Sequence, residues 1–142
     1  MTANGRKKKP VAPATRDIDI IYQENILDHY RRPRNFGRIA GASASRKEAN
    51  FSCGDDVEIF ILFGTDGRTK EVKFEGRGCA VSQAAASLLT EQAIGLTRKQ
   101  LAALSAGDVV AWLGIPIGPS RLRCATLALK ALQNALAGDD KV

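Results

Sequence analysis

Apolar positions first gather at helical spacing after Asp17. Ile18, Ile21, Tyr22, Ile26 and then His29 or Tyr30 recur at steps of three and four, with Asp17 and Asp19 near the end where acids favour a helix. Pro33 ends that helix. Residues 31–50 are rich in Arg, Gly, Ser and Ala, with Phe36 and Ile39 as apolar anchors, which predicts a loop or weak edge strand. From Asp56 the period becomes two: Val57, Ile59, Ile61 and Phe63 alternate with Asp56, Glu58, Phe60 and Leu62, a strand whose second half is apolar on both faces. Asp66-Gly67 supplies a hairpin turn, and Val72 and Phe74 alternate with Glu71, Lys73 and Glu75 on a return strand expected to break at Gly76 and Gly78.

The pattern then turns helical again. Ala80 to Ile94, dense in Ala and Leu, predicts a helix stopped by Gly95, and Ala84, Ala85, Ala86 and Ser87 are small enough to let it approach the sheet closely. Thr97 with Gln100 forms a capping box for a short helix carrying Leu101 and Leu104. Asp108 is expected to cap another, with Val109, Val110, Trp112 and Leu113, ended by Gly114. After the rigid segment Ile115-Pro-Ile-Gly-Pro119, Ser120 is expected to cap a last helix with Leu122, Ala125, Leu129, Leu132 and Leu136 on one face. Tyr22 and Tyr30, eight residues apart on one face, and Trp112 are expected in the core. A hairpin followed mainly by helices, without repeated strand-helix units, indicates an α+β fold.

Length and charge refine this outline. The chain has 142 residues, enough for one domain that needs no disulfide or metal merely to stay folded. Its apolar runs are far too short to span a bilayer, and the charged N-terminus shows no secretory signal, so no membrane role is expected. The net charge of +6 is unevenly placed: Arg6, Lys7, Lys8, Lys9 and Arg16 lie in residues 1–16, leaving 16 basic against 15 acidic residues over the other 126. Residues 1–16 are expected to be a disordered basic tail, and 17–142 a single domain. A nearly balanced body argues against a nucleic-acid face, which gains affinity from many basic groups.

Three cysteines, Cys53, Cys79 and Cys124, form an odd set without a CxxC pair. That suits a reducing, cytoplasmic setting rather than a secreted disulfide framework. Each falls at a boundary between predicted elements, where a side chain can reach a site without being locked into the core. Cys53 lies in Phe51-Ser-Cys-Gly-Asp-Asp56, where Gly54 permits a tight turn and Asp55 can add an oxygen ligand; Asp56 should point the other way into solvent. Cys79 closes Glu75-Gly-Arg-Gly-Cys79 at a helix start, where amides and dipole favour the thiolate. Cys124 follows Arg121 and Arg123 in the first turn or so of the last helix. Three thiolates and one carboxylate would suit zinc or iron-sulfur chemistry. His29, the lone histidine, is read as packing or capping rather than as a ligand or the base of a cysteine hydrolase, and Arg77 as either an exposed charge or a guide for an incoming persulfide.

The segments Tyr22-Gln-Glu-Asn-Ile-Leu-Asp-His-Tyr30, Arg32-Pro-Arg-Asn-Phe-Gly37, Ser52-Cys-Gly-Asp55, Phe74-Glu-Gly-Arg-Gly-Cys-Ala-Val-Ser82 and Arg123-Cys-Ala-Thr-Leu-Ala-Leu-Lys-Ala-Leu132 together resemble the NifU/IscU/SufU family of iron-sulfur cluster assembly scaffolds. The resemblance implies a small antiparallel sheet of about three strands packed against helices, with a C-terminal helix carrying the third cysteine. It implies assembly of a transient [2Fe-2S] cluster from iron and from sulfur supplied by a cysteine desulfurase, then transfer to apo iron-sulfur acceptor proteins. Cys53, Cys79 and Cys124 match the family cysteines, with Cys124 the candidate persulfide acceptor, and Asp55 matches the acid of Cys-Gly-Asp. The first helix is implied to lie near desulfurase and homodimer contacts.

Two departures bear on subtype. Arg123 stands where IscU-type members have His, as a basic residue does in SufU-type members, which act as zinc-dependent sulfur acceptors for a desulfurase. Yet the short stretch from Gly95 to Pro119 lacks the insertion of SufU-type chains. The zinc sulfurtransferase role is therefore the alternative to the scaffold role. Ile117-Gly-Pro-Ser-Arg121 only partly echoes the chaperone-recognition loop of IscU-type members.

Overall fold

The computed structural model describes residues 23–51 and 54–140, without the side chains of 139 and 140. The expected tail at 1–16, the start of the first helix with Ile18, Ile21 and Tyr22, and Cys53 lie outside the described residues. Helix α1 covers residues 23–31. Strands β1 (Ala44–Asn50), β2 (Asp55–Phe63) and β3 (Thr69–Arg77) follow, and then helices α2 (Ala80–Ala93), α3 (Arg98–Ala102), α4 (Ala106–Leu113) and α5 (Pro119–Asp140). The strands form one antiparallel sheet in the order β1-β2-β3, packed against helices, so the architecture is α+β. Among the described residues no helix is long and apolar enough to cross a membrane.

The alternation in β2 sends Val57, Ile59 and Ile61 to one face, where they meet Val72 and Phe74 of β3 and the apolar sides of α2 and α5. On the opposite face Glu58 lies across from Glu75, a like-charge pair that would weaken the sheet if left alone. Arg38 sits between them: its Nη1 is 3.3 Å from Glu58 and 2.9 Å from Glu75, and its guanidinium lies 4.7 Å from the Phe60 ring centroid. That explains why Phe60, on the outer face, is nevertheless buried.

Several expectations shift in detail. The predicted loop or weak edge strand is an edge strand over its last seven residues, since β1 pairs with β2 from Ala44↔Ile61 to Asn50↔Asp55. β3 is not broken at Gly76: it runs on to Arg77, with Gly76 at φ +155 and a Cβ there driven into the Asp56 carbonyl, so glycine sustains the strand at that point. Ser105, not Asp108, caps α4; Asp108 is the third helical residue of that capping box and donates its backbone N–H to Ser105 while accepting from the Ser105 amide. The last helix begins at Pro119, one residue ahead of Ser120, because the Gly118 carbonyl accepts from the amides of Arg121 and Leu122 and proline suits a first helical position. Leu122 is 38% exposed, while Leu127, Ala128, Ala131 and Ala135 join the buried arc of α5. Tyr30 is 45% exposed, pointing off the core face that Ile26 and His29 occupy, and Trp112 packs at the core margin.

The chain after α1 is fastened to α2 through small polar residues. His29 Nδ1 lies 2.7 Å from Ser87 Oγ, the Arg34 amide donates to the same oxygen at 2.8 Å, and Asn35 Nδ2 donates to Thr90 Oγ1 at 3.1 Å. His29, Ser87 and Thr90 are all buried. Asn35 takes φ +57, a left-handed conformation asparagine tolerates, and its carbonyl accepts from the Phe74 amide. Burial, followed by the nearby Arg34 cation, lowers the His29 pKa below its usual 6.5, against the weaker opposing pull of Glu91 and Asp28.

The folded state thus binds a proton at His29 less readily than the unfolded chain does. The stability it contributes is whole above about pH 6.5 and is lost as pH falls below that value. Thermal melts from about pH 7.5 to about pH 5.5 should show the wild type losing more stability than His29→Gln. Parallel curves would remove His29 as the source of acid sensitivity.

Candidate metal centre

Strand β2, helix α2 and helix α5 deliver one potential ligand each. Asp55 opens β2 directly after the turn that joins it to β1, where the Gly54 amide donates to the Asn50 carbonyl at 3.0 Å with Gly54 at φ +72. Cys79 occupies the N-cap of α2, a position with no side-chain cap of its own and no acid in the first helical turn. Asp55 supplies what is missing: its Oδ1 accepts from the Cys79 amide at 3.1 Å, placing a carboxylate at the positive end of the helix. Cys124 lies in the second turn of α5, later than its expected place, and is buried. One ligand atom from each of Asp55, Cys79 and Cys124 lies within 4.8 Å of the others.

The second carboxylate oxygen of Asp55 carries the strongest chemical signal. The residue is 2% exposed, and Oδ2 is buried without a hydrogen-bond partner. Leaving such an atom unsatisfied costs about 1–3 kcal/mol, more when charged, so a buried acceptor beside two thiols fits a cation better than a vacuum. Two soft sulfurs and a hard oxygen suit zinc or iron. Gly78 makes this packing possible, because a Cβ there would lie 2.6 Å from Asp55 Oδ1 and run into Ser82 Oγ, which itself donates to the Cys79 carbonyl.

The remaining sequence candidates separate from this cluster. Cys53 lies outside the described residues, two positions ahead of Asp55. Asp56 faces the other side of the sheet, as expected, where its Oδ1 accepts from the Arg77 amide and its Oδ2 is 3.8 Å from the Arg77 guanidinium, which is 89% exposed. His29 is engaged with Ser87, in keeping with packing. Sequence reasoning treated Gly78 only as a strand breaker; the signal for its packing role is a glycine placed immediately before a helix-capping cysteine.

Comparison with known proteins places this geometry in a family. A family model described as the NifU-like N terminal domain matches residues 21–139. The chain belongs to that family. It is 39% identical over 114 residues to the bifunctional protein NifU/MnmA of Rubrobacter xylanophilus, covering 80% of this chain and 23% of that one. It is 30% identical over 141 residues to the zinc-dependent sulfurtransferase SufU of Bacillus subtilis, covering 87% and 95% of the two chains. It is 33% identical over 133 residues to the iron-sulfur cluster assembly scaffold protein IscU of Thermotoga maritima, covering 82% and 93%. Among solved structures, a protein of Fervidobacterium islandicum AW-1 described as an iron-sulfur cluster assembly scaffold for the SUF system aligns with TM-score 0.69 and 30% identity, over 82% of this chain and 97% of that one.

Two substitutions test the packing and the charge separately. Gly78→Ala should cost about 1–3 kcal/mol through overpacking and reduce zinc affinity at least about tenfold, measured by chemical denaturation and chelator competition. Retained affinity would mean that the carboxylate's place is not set by Gly78. Asp55→Asn keeps the acceptor for the Cys79 amide and removes the buried charge, so metal-free protein should gain about 1 kcal/mol while metal binding weakens. Loss of stability in the metal-free variant would show the carboxylate to be structural.

Proposed function

We propose that this chain is an iron-sulfur cluster assembly scaffold, which receives sulfur from a cysteine desulfurase, binds iron, carries a transient [2Fe-2S] cluster as cargo and passes it to apo iron-sulfur proteins. The observation that supports this most is the convergence of the buried, orphaned Asp55 oxygen with Cys79 and Cys124 in a chain whose relatives include IscU scaffolds. Cys53, Asp55, Cys79 and Cys124 are the proposed ligand set, with Cys53 assigned from its sequence position alone. Residues 17–142 are the proposed working unit and 1–16 a basic tail outside it; the expected setting is a reducing cytoplasm, and a homodimer would use contacts near α1.

Cys124 is the proposed sulfur acceptor. Its thiolate would attack the outer sulfur of the donor's persulfide, forming a new S–S bond while the old one breaks and the donor leaves as a thiolate, with no net redox change. The carboxylate suits release: an oxygen donor is harder than sulfur and binds iron less tightly than a fourth thiolate would.

A second reading, zinc-dependent sulfur acceptance, is favoured by Arg123, which cannot ligate a metal and so would leave the three cysteines and Asp55 as the donors of a closed four-donor set. Zinc there would hold the cysteines as thiolates.

Anaerobic reconstitution with iron and sulfide, run on zinc-loaded and metal-free protein, separates the two. The scaffold reading expects visible cluster absorption in both samples and transfer to an apo-ferredoxin. Zinc that blocks assembly, with no transfer and a rise in desulfurase turnover, would put the sulfur-acceptor reading in its place. Asp55→Ala should lengthen the life of the cluster, and an unchanged decay would remove Asp55 from the release step.

A further inference from the structure

Beside the metal centre a groove of about 280 Å³ runs between the sheet edge and α5, lined by Ala49 and Asn50 of β1 and by Arg123, Thr126, Leu127 and Lys130 of α5. Three features mark it. Among the described residues β1 is a sheet edge with no strand on its far side, which suits an added extended segment. The α5 wall is basic: Arg123 and Lys130 are exposed and make no ion pair among the described residues. Glu48, which accepts from Asn134 at 2.8 Å and pairs with Arg46 at 3.0 Å, also lies within electrostatic reach of Lys130 and offsets part of that charge, whereas Arg123 is not among the groups acting on it.

Arg121 and Arg123 also sit at the wrong end of their helix. The first turn of α5 holds no acid, and a cation there, as Arg121 is, opposes the helix dipole at about 0.3–1 kcal/mol. A local rule broken in this way is a departure that accompanies functional sites.

The charge also selects the occupant. The chain's own segment at 1–16 carries five basic residues and would be repelled, and Asp139-Asp140 continue the same helix about 14 Å beyond Lys130 at 1.5 Å per residue, so they cannot turn back onto it. We propose that this groove docks an extended acidic segment of a partner protein alongside β1. Arg123 and Lys130, seven helical residues apart, stand about 10 Å from each other, the reach of three extended residues. The recognised pattern is therefore an acid, two residues and a second acid. This goes beyond the metal-centre reading and holds whichever cargo the cysteines carry.

The test uses the full chain and fluorescein-labelled peptides of identical length: one containing Asp-Leu-Ala-Glu, one Asn-Leu-Ala-Gln and one Lys-Leu-Ala-Lys. Fluorescence anisotropy should show binding of the acidic peptide alone, weakening with salt, and amide resonances of Ala49, Thr126 and Lys130 should shift. Lys130→Glu should weaken binding about tenfold, as reversal of a partly exposed pair does, whereas Lys99→Glu on α3, with the same change in net charge, should not. Equal effects of the two substitutions, equal binding of the three peptides, or shifts confined to other surfaces would overturn the proposal. So would self-association abolished by Lys130→Glu without peptide binding, which would give the groove to a second copy. Cluster reconstitution on the same Lys130→Glu protein reports the metal centre independently.

Discussion

The hydrogen bond from the Cys79 amide to the Asp55 carboxylate joins the start of β2 to the start of α2, and the arrangement of the candidate metal centre follows from it. A helix that begins without a side-chain cap and without an acid in its first turn leaves amides to be satisfied from elsewhere. Drawing a carboxylate in from the neighbouring strand satisfies one of them, but only if the backbone between β3 and α2 comes very close to that strand. Gly78 and Gly76 are the residues that allow this, each occupying a place where a Cβ would collide with residue 55 or 56. The chain around Cys79 is thus shaped by the acid it receives.

The third thiol arrives by a different route. Helix α5 packs on β1, β2 and α2 together, and its buried arc is wide because alanines at 125, 128, 131 and 135 interleave with leucines at 127, 129, 132 and 136. Small side chains on both α2 and α5 let the helices approach closely, and that approach carries Cys124 toward the β2–α2 junction. On the other side of α2, Ser87 and Thr90 receive the chain that follows α1. One helix therefore serves as a packing hub, apolar toward the sheet and α5, and sparsely polar where α1 docks.

How much was legible in the sequence depended on the range of the interaction. The β2–β3 hairpin, the Thr97–Gln100 capping box and the Gly114 stop rest on local chemistry, with Gly114 at φ +76 as a left-handed helix end. Asp55 and Cys79 stand out for the same reason, since a glycine and a helix start mark them, whereas Cys124 lies buried in the second turn of α5 rather than at a boundary. The exposure of Leu122 and Tyr30 was not legible, because it depends on the direction from which other elements pack, which periodicity does not encode. Nor was the orphaned oxygen of Asp55 or the groove at Arg123 and Lys130; both arise where segments about 25 to 80 residues apart meet, and no spacing along the chain records them.

The unpartnered Oδ2 of Asp55 in the interior costs free energy whenever the site is empty, and a domain of this size has about 5–15 kcal/mol of stability in all. The extended core beneath the site can absorb a cost of about 1–3 kcal/mol, whereas removing the charge would yield a more stable protein with a poorer site. A bound cation reverses the sign of that term, so occupancy and folding are linked: a ligand at a hundred times its dissociation constant adds about 2.7 kcal/mol to the folded state. A sulfur in place of Asp55 would lessen the cost of the empty site and strengthen the grip on a soft cation together. In the proposed scaffold role, where the site is filled and emptied in turn, the carboxylate would keep both states within reach, and the penalty borne by the empty site is what would make that possible.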